Sequence, residues 1–164
     1  MNPRTKAVAA AALAATTAAV ALPALVGAQT GDREITAREK VRSVRIVHQK
    51  RTTKGERLAT GDRVLTRQAI FNAGGKASGT LFTDCANVGK TAAVFKATLQ
   101  CTLTYRFGDG QIVSAGVVRL GSSGVAAAFP IVGGTGAYKG VRGEAKAGAP
   151  VKGYDSVDVL RFTN

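Results

Sequence analysis

The chain of 164 residues has no tryptophan, one histidine and two cysteines, and aromatic residues make up only 5% of it. Each shortage removes a class of chemistry. His48, Cys85 and Cys101 supply too few nitrogen and sulfur ligands for a structural zinc site. A Ser-His-Asp triad would have to use His48, and no pattern in the chain pairs it with a serine and an aspartate. No metal and no cofactor is therefore expected. Acidic residues are scarce too: 10 stand against 23 Lys and Arg, for a net charge of +13. Long helical patterns are absent, and the 20 glycines fit short strands joined by turns.

Long apolar runs are also missing, except at the start. Met1 to Lys6 carries Arg4 and Lys6, Ala7 to Leu22 has no charge, and Val26-Gly27-Ala28 offers small side chains. A basic region, an apolar region and a small-residue cleavage site, in that order, make a secretory signal peptide over residues 1–28. A retained membrane span is not expected, because alanine dominates the run, Thr16-Thr17 interrupt it and Pro23 breaks it. The chain is thus expected to be secreted or associated with the cell envelope. Loss of Arg4 and Lys6 lowers the net charge from +13 to +11, and the 136 residues left suffice for one hydrophobic core.

Residues 29–40 (QTGDREITAREK) read as a flexible, charged lead-in, and residues 41–164 as the folded domain. Short segments of strand character follow at Val41–His48, Val64–Asn72 and Ala77–Cys85. The clearest is Phe95–Phe107. Phe95, Ala97, Leu99, Cys101, Leu103, Tyr105 and Phe107 share one parity, and polar residues fill the other. Such alternation marks a half-buried antiparallel strand, since side chains change face at every residue. Gly108-Asp109-Gly110 then predicts a hairpin turn. Ile112–Leu120, Ala126–Val132, Tyr138–Ala147 and Ser156–Phe162 complete the set. These strands predict an all-β fold, an eight-stranded antiparallel closed barrel, because closure removes the exposed edges that invite aggregation. A barrel of this size can enclose one small ligand.

In an exported chain the two cysteines are expected to form a Cys85–Cys101 disulfide across the turn at Asn87–Lys90. A reactive thiol pair would use the closer C-x-x-C spacing. Three other segments imitate functional motifs and fail on chemistry. DCANVGKT, Asp84 to Thr91, places a carboxylate where a phosphate-binding loop needs glycine. The Gly133–Gly136 cluster lacks the G-x-G-x-x-G order and the βαβ unit of a dinucleotide site. Gly121-Ser122-Ser123-Gly124 is not a nucleophile elbow.

Between Arg33 and Arg67 lie eleven Lys and Arg against Glu34, Glu39, Glu56 and Asp62. A nucleic-acid reader would interleave aromatics for stacking, yet every Phe and Tyr lies at or after Phe71. Nucleic acid is not an expected partner. A solvated basic face is, with anionic envelope polymers as the alternative partner.

FPIVGGTGAYKGVRGEA, Phe129 to Ala145, is more specific. It resembles the signature of the dirigent and allene oxide cyclase barrel superfamily. The matching residues are Ile131-Val132-Gly133-Gly134-Thr135-Gly136, the aromatic Tyr138, and Arg142-Gly143. The resemblance extends over roughly Val41 to Phe162 and includes GTLFTDC, Gly79 to Cys85. It implies an eight-stranded barrel with an apolar central cavity. It also implies a small apolar molecule as partner, held there and steered in a cyclisation or coupling, and homo-oligomers of the kind dirigent-type relatives form. A non-catalytic secreted binding module is the alternative. Gly133, Gly134, Thr135 and Gly136 are expected to form a structural turn. By character alone Tyr105, Arg119 and Arg142 are candidate binding residues, against a competing reading of Tyr105 as core and both arginines as outward-facing. The catalytic residues of the plant enzymes find no match here.

Overall fold

The computed structural model describes residues 31–49, 57–119, 121 and 127–164. The expected signal peptide lies outside the described residues. The elements run β1 (Arg33–Val47), β2 (Arg57–Leu58), β3 (Arg63–Phe71), β4 (Ala77–Asn87) and β5 (Ala92–Ala93), then a 3-10 turn at Val94–Lys96. After it come β6 (Thr98–Phe107), β7 (Gly110–Arg119), β8 (Ala127–Gly136), β9 (Arg142–Ala147) and β10 (Ser156–Thr163). Eight of the strands close a barrel in the order β1-β10-β9-β8-β7-β6-β4-β3, and every neighbouring pair is antiparallel. The expected fold class is the observed one. The remaining two strands, β2 and β5, form a small ribbon of their own.

β6 shows why the sequence folds this way. Leu99, Cys101, Leu103 and Tyr105 are buried, while Gln100, Thr102 and Arg106 face solvent. The partners continue the same inner layer. Leu103 sits opposite Thr83 of β4 and Ser114 of β7, and Tyr105 opposite Leu81 and Ile112. Cys85 and Cys101 face each other in register on β4 and β6 and are joined by a disulfide. The expected pairing is therefore present.

Three expectations need correction. Residues 33–40 are not a loose lead-in, because β1 begins at Arg33 and pairs Arg33–Glu39 with Phe162–Ser156 of β10. This pairing closes the barrel, and the polarity of the segment reflects an outer face of Arg and Lys rather than disorder. The strand around Tyr105 begins at Thr98, not Phe95. Phe95 lies in the 3-10 turn and is exposed. The glycine cluster is not itself the turn. Gly133–Gly136 end strand β8, and the chain turns at residues 137–140.

What the cluster needs glycine for is close backbone approach. A Cβ at Gly134 would lie 2.3 Å from the Tyr138 carbonyl oxygen and 2.7 Å from that of Gln111. Gly136 adopts φ +61°, and a Cβ there would meet the Asp109 carbonyl oxygen at 2.2 Å. This tight join sets Tyr138 over one end of the barrel. Its ring packs on Phe107 and Phe162 with centroids 5.5 and 5.9 Å apart. The Arg33 guanidinium covers Tyr138 and Phe162 from outside. That end is plugged.

Candidate functional site

Away from the aromatic plug the barrel is hollow. A cavity of about 330 Å³ is bordered by Val64, Leu81, Leu99, Leu103, Val118, Phe129 and the Cys85–Cys101 pair. Polar side chains occupy one side: Thr66, Gln68, Thr83, Glu39, Ser156 and Asp158. An apolar wall with a few convergent polar groups is the usual composition of a small-molecule site.

The polar side is built by alternation on strands that meet at the barrel seam. On β1, Glu39 shares its inward parity with Ala37 and Ile35. On β10, Asp158 shares its parity with Leu160 and Phe162. Register sets Glu39 opposite Ser156 across the β1–β10 seam. Ser156 donates its hydroxyl to Glu39 Oε2 at 2.5 Å, and the Tyr105 hydroxyl donates to Asp158 Oδ2 at 2.7 Å. This buried hydrogen bond ties Asp158 of β10 to β6. Among the described residues, Glu39 Oε1, Gln68 Oε1 and Ser114 Oγ are buried without a hydrogen-bond partner.

Burial decides the protonation of this cluster. It pushes Glu39 up to about 9, with the negative Asp158 adding to the effect and the Ser156 hydrogen bond opposing it. Asp158 is raised as well, first by burial, while its hydrogen bonds, that from Tyr105 foremost, pull it down. Tyr105 is held well above its ordinary value by burial and by the charge of Asp158. Glu39 therefore carries a proton at neutral pH beside Asp158, which Tyr105 holds. Two buried acidic side chains stand together at the wall of an apolar chamber.

The sequence-predicted candidates separate clearly. Tyr105 is fully buried and belongs to the polar cluster. Arg119 and Arg142 are exposed on the outside of the barrel, and Arg142 donates to the Val141 carbonyl at 2.8 Å. Neither arginine borders the cavity. Arg142 instead edges an open depression of about 820 Å³ with Arg33, Glu34, Glu144 and Arg161. There acids and bases offset one another, as in the 2.8 Å pair of Arg161 with Glu34.

His48 is accounted for outside the cavity. Its Nδ1 lies 2.8 Å from Asp62 Oδ2, and Asp62 also accepts the amides of Gln49 and Ala59. Burial alone would raise Asp62, but these hydrogen bonds and His48 outweigh it and hold it below its ordinary value. The pair fastens the segment after β2 to the end of β1. No hydrogen bond joins His48 to a serine among the described residues. The phosphate-loop mimic is equally structural: Asp84 pairs with Arg63, and the Asn87 amide donates to the Leu58 and Lys90 carbonyls.

Sequence reasoning missed Glu39, Asp158, Ser114 and Gln68. The signal for Asp158 and Ser114 was present: each is a polar residue on the apolar parity of a strand, between Ser156 and Leu160 or beside Ile112. Glu39 was hidden by the charged residues around it.

Comparison with known proteins agrees with this architecture. Residues 42–157 match the family described as Allene oxide cyclase barrel like domain. None of the curated proteins matches the chain. Among solved structures the chain is similar to a pyocyanin demethylase, with a TM-score of 0.63 and 21% identity over 80% of this chain and 100% of that one. A pterocarpan synthase dirigent protein gives a TM-score of 0.56 at 18% identity, over 81% of this chain and 92% of the other. A Diels–Alderase from Streptomyces koyangensis gives 0.57 at 14% identity, over 84% and 70%. At such identities the likeness is one of fold, on which many chemistries are built. The match over residues 42–157 is more specific, and the chain belongs to the allene oxide cyclase barrel like family.

Proposed function

We propose that this protein is an exported barrel that takes a small, largely apolar molecule into its interior cavity and steers its cyclisation or coupling. The observation that carries the reading is the cavity of about 330 Å³, apolar on most sides and closed at its polar wall by Glu39 and Asp158. Such a chamber restricts a flexible molecule to few conformers, which lowers the entropic part of a barrier. Glu39 and Asp158 orient one end of the bound molecule, while Tyr105 holds Asp158 in place. Proteins of the same fold that include a Diels–Alderase and a pterocarpan synthase dirigent protein support the steering role by analogy. Export is supported by the signal-like order of residues 1–28 and by a structural disulfide.

Native mass spectrometry of protein isolated from its own source tests the reading. A co-purifying small molecule is expected, and Thr83→Trp, which fills the cavity, should lose it. A protein that is empty at every stage and takes up no apolar probe would overturn the proposal. So would a Thr83→Trp variant that retains the same ligand.

A further inference from the structure

Three acidic residues border the cavity, the buried Glu39 and Asp158 and the exposed Asp155, and no Lys, Arg or His does so among the described residues. In a chain with 23 basic and 10 acidic residues this placement is the reverse of the overall balance. We infer that the cavity selects an organic cation, an apolar body ending in a protonated amine or ring nitrogen, which Glu39 and Asp158 hold together. This inference rests on the cavity being the ligand site and adds the charge of the ligand.

Among the described residues, the groups that face Glu39 all lack positive charge. Asp158 and Ser156 come from β10, and the Asp155 amide donates to the Glu39 carbonyl at 2.8 Å. Tyr105 of β6 bonds Asp158. Gln68 of β3 and Ser156 share the cavity wall with Glu39. Two adjacent buried carboxyls with no cation between them are costly, and a proton on one of them is the empty protein's remedy. A bound ammonium performs that service better, because it pairs with both carboxylates and gives the unpartnered Glu39 Oε1 a donor. The exchange balances: the cation enters, Glu39 ionises, and its proton passes to solvent. An anion would instead add negative charge to a site that already holds two buried acids. Net positive charge on the outer surface repels cations only weakly at physiological salt, where charges more than about 8 Å apart are screened.

A matched set of probes tests the inference: 2-naphthylmethylamine, 2-naphthylmethanol and 2-naphthoate, titrated calorimetrically at pH 7 in two buffers of different ionisation enthalpy. Because the chain has no tryptophan, naphthyl fluorescence gives an independent readout. The amine should bind at least about tenfold more tightly than the alcohol, a difference near 1.4 kcal/mol. It should release on the order of one proton where the alcohol releases none, and naphthoate should bind weakest. In Glu39→Gln the amine should come within about threefold of the alcohol measured on the same variant, and proton release should be abolished. Asp158→Asn is the second variant, expected to weaken the amine selectively.

An alcohol as tight as the amine, a preference for naphthoate, or amine binding without proton release overturns the cation inference and leaves the cavity reading standing. Failure of all three probes to bind overturns both.

Discussion

The two ends of this barrel solve the problem of an interior in opposite ways. At one end Phe107, Tyr138 and Phe162 pack ring on ring and Arg33 lies over Tyr138 and Phe162. Toward the other end the inward residues are shorter, Thr66, Thr83, Cys85, Cys101 and Ala147, and they leave a chamber with a carboxyl pair at its wall. The plugged end gains hydrophobic burial and aromatic contacts of about 0.5–1.5 kcal/mol each. The hollow end forgoes that packing and carries buried, incompletely satisfied polar groups besides. The stabilising plug and the proposed ligand chamber are thus separated along one set of strands. A single strand serves both: β6 brings Leu99 and Cys101 to the chamber and ends at Phe107 in the plug.

This division can be broken at either end. The largest effect is expected from Phe162→Ala. Removing a buried aromatic from the plug should destabilise the fold by about 3–5 kcal/mol in denaturant titrations. Probe affinity, measured well below the unfolding midpoint, should change little. Next comes the disulfide. Replacing Cys85 and Cys101 together by alanine releases a loop with a separation of 16 residues and should cost about 3 kcal/mol.

Glu39→Gln should act in the other direction. The folded protein holds the Glu39 proton up to about 9 while the unfolded chain releases it near 4.5. Stability linked to this group is therefore complete below pH 4.5 and declines as pH rises toward 9, because the folded state binds the extra proton. The variant should be more stable than the parent at pH 8 by on the order of 2 kcal/mol. The gain should vanish near pH 4, and thermal melts at the two pH values would show it. A constant difference across that range would mean that Glu39 is not the group that titrates. The smallest effects belong to the outer arginines. Arg119→Ala and Arg142→Ala should each shift stability by less than about 0.5 kcal/mol and leave probe binding unchanged. A large loss of affinity in either variant would move the ligand outside the barrel.

Much of the architecture was legible because strand alternation is a strong signal in β6, where thirteen residues from Phe95 keep one parity apolar. Even there the start was misplaced. Phe95 and Ala97 keep the parity, but the Ala97 amide bonds back to Val94 and makes a 3-10 turn. The GGTG cluster identified the family without revealing its own role, because a list of residues does not show which carbonyl a missing Cβ makes room for. Tyr105 was found from its place on an apolar face. Its partner Asp158 is 53 residues away and meets it only after barrel closure. Glu39 was the hardest to see. Its inward position depends on pairing with β10 at the far end of the domain, and the charged side chains around it all point outward. Long-range register, not local pattern, creates the site.

A crystal structure of the protein with 2-naphthylmethylamine tests this account most directly. The naphthyl group should lie among Leu81, Leu99, Leu103 and Phe129, with its nitrogen within hydrogen-bonding distance of the Glu39 and Asp158 carboxylates. An empty chamber with the amine bound at the outer depression beside Arg142 would contradict it.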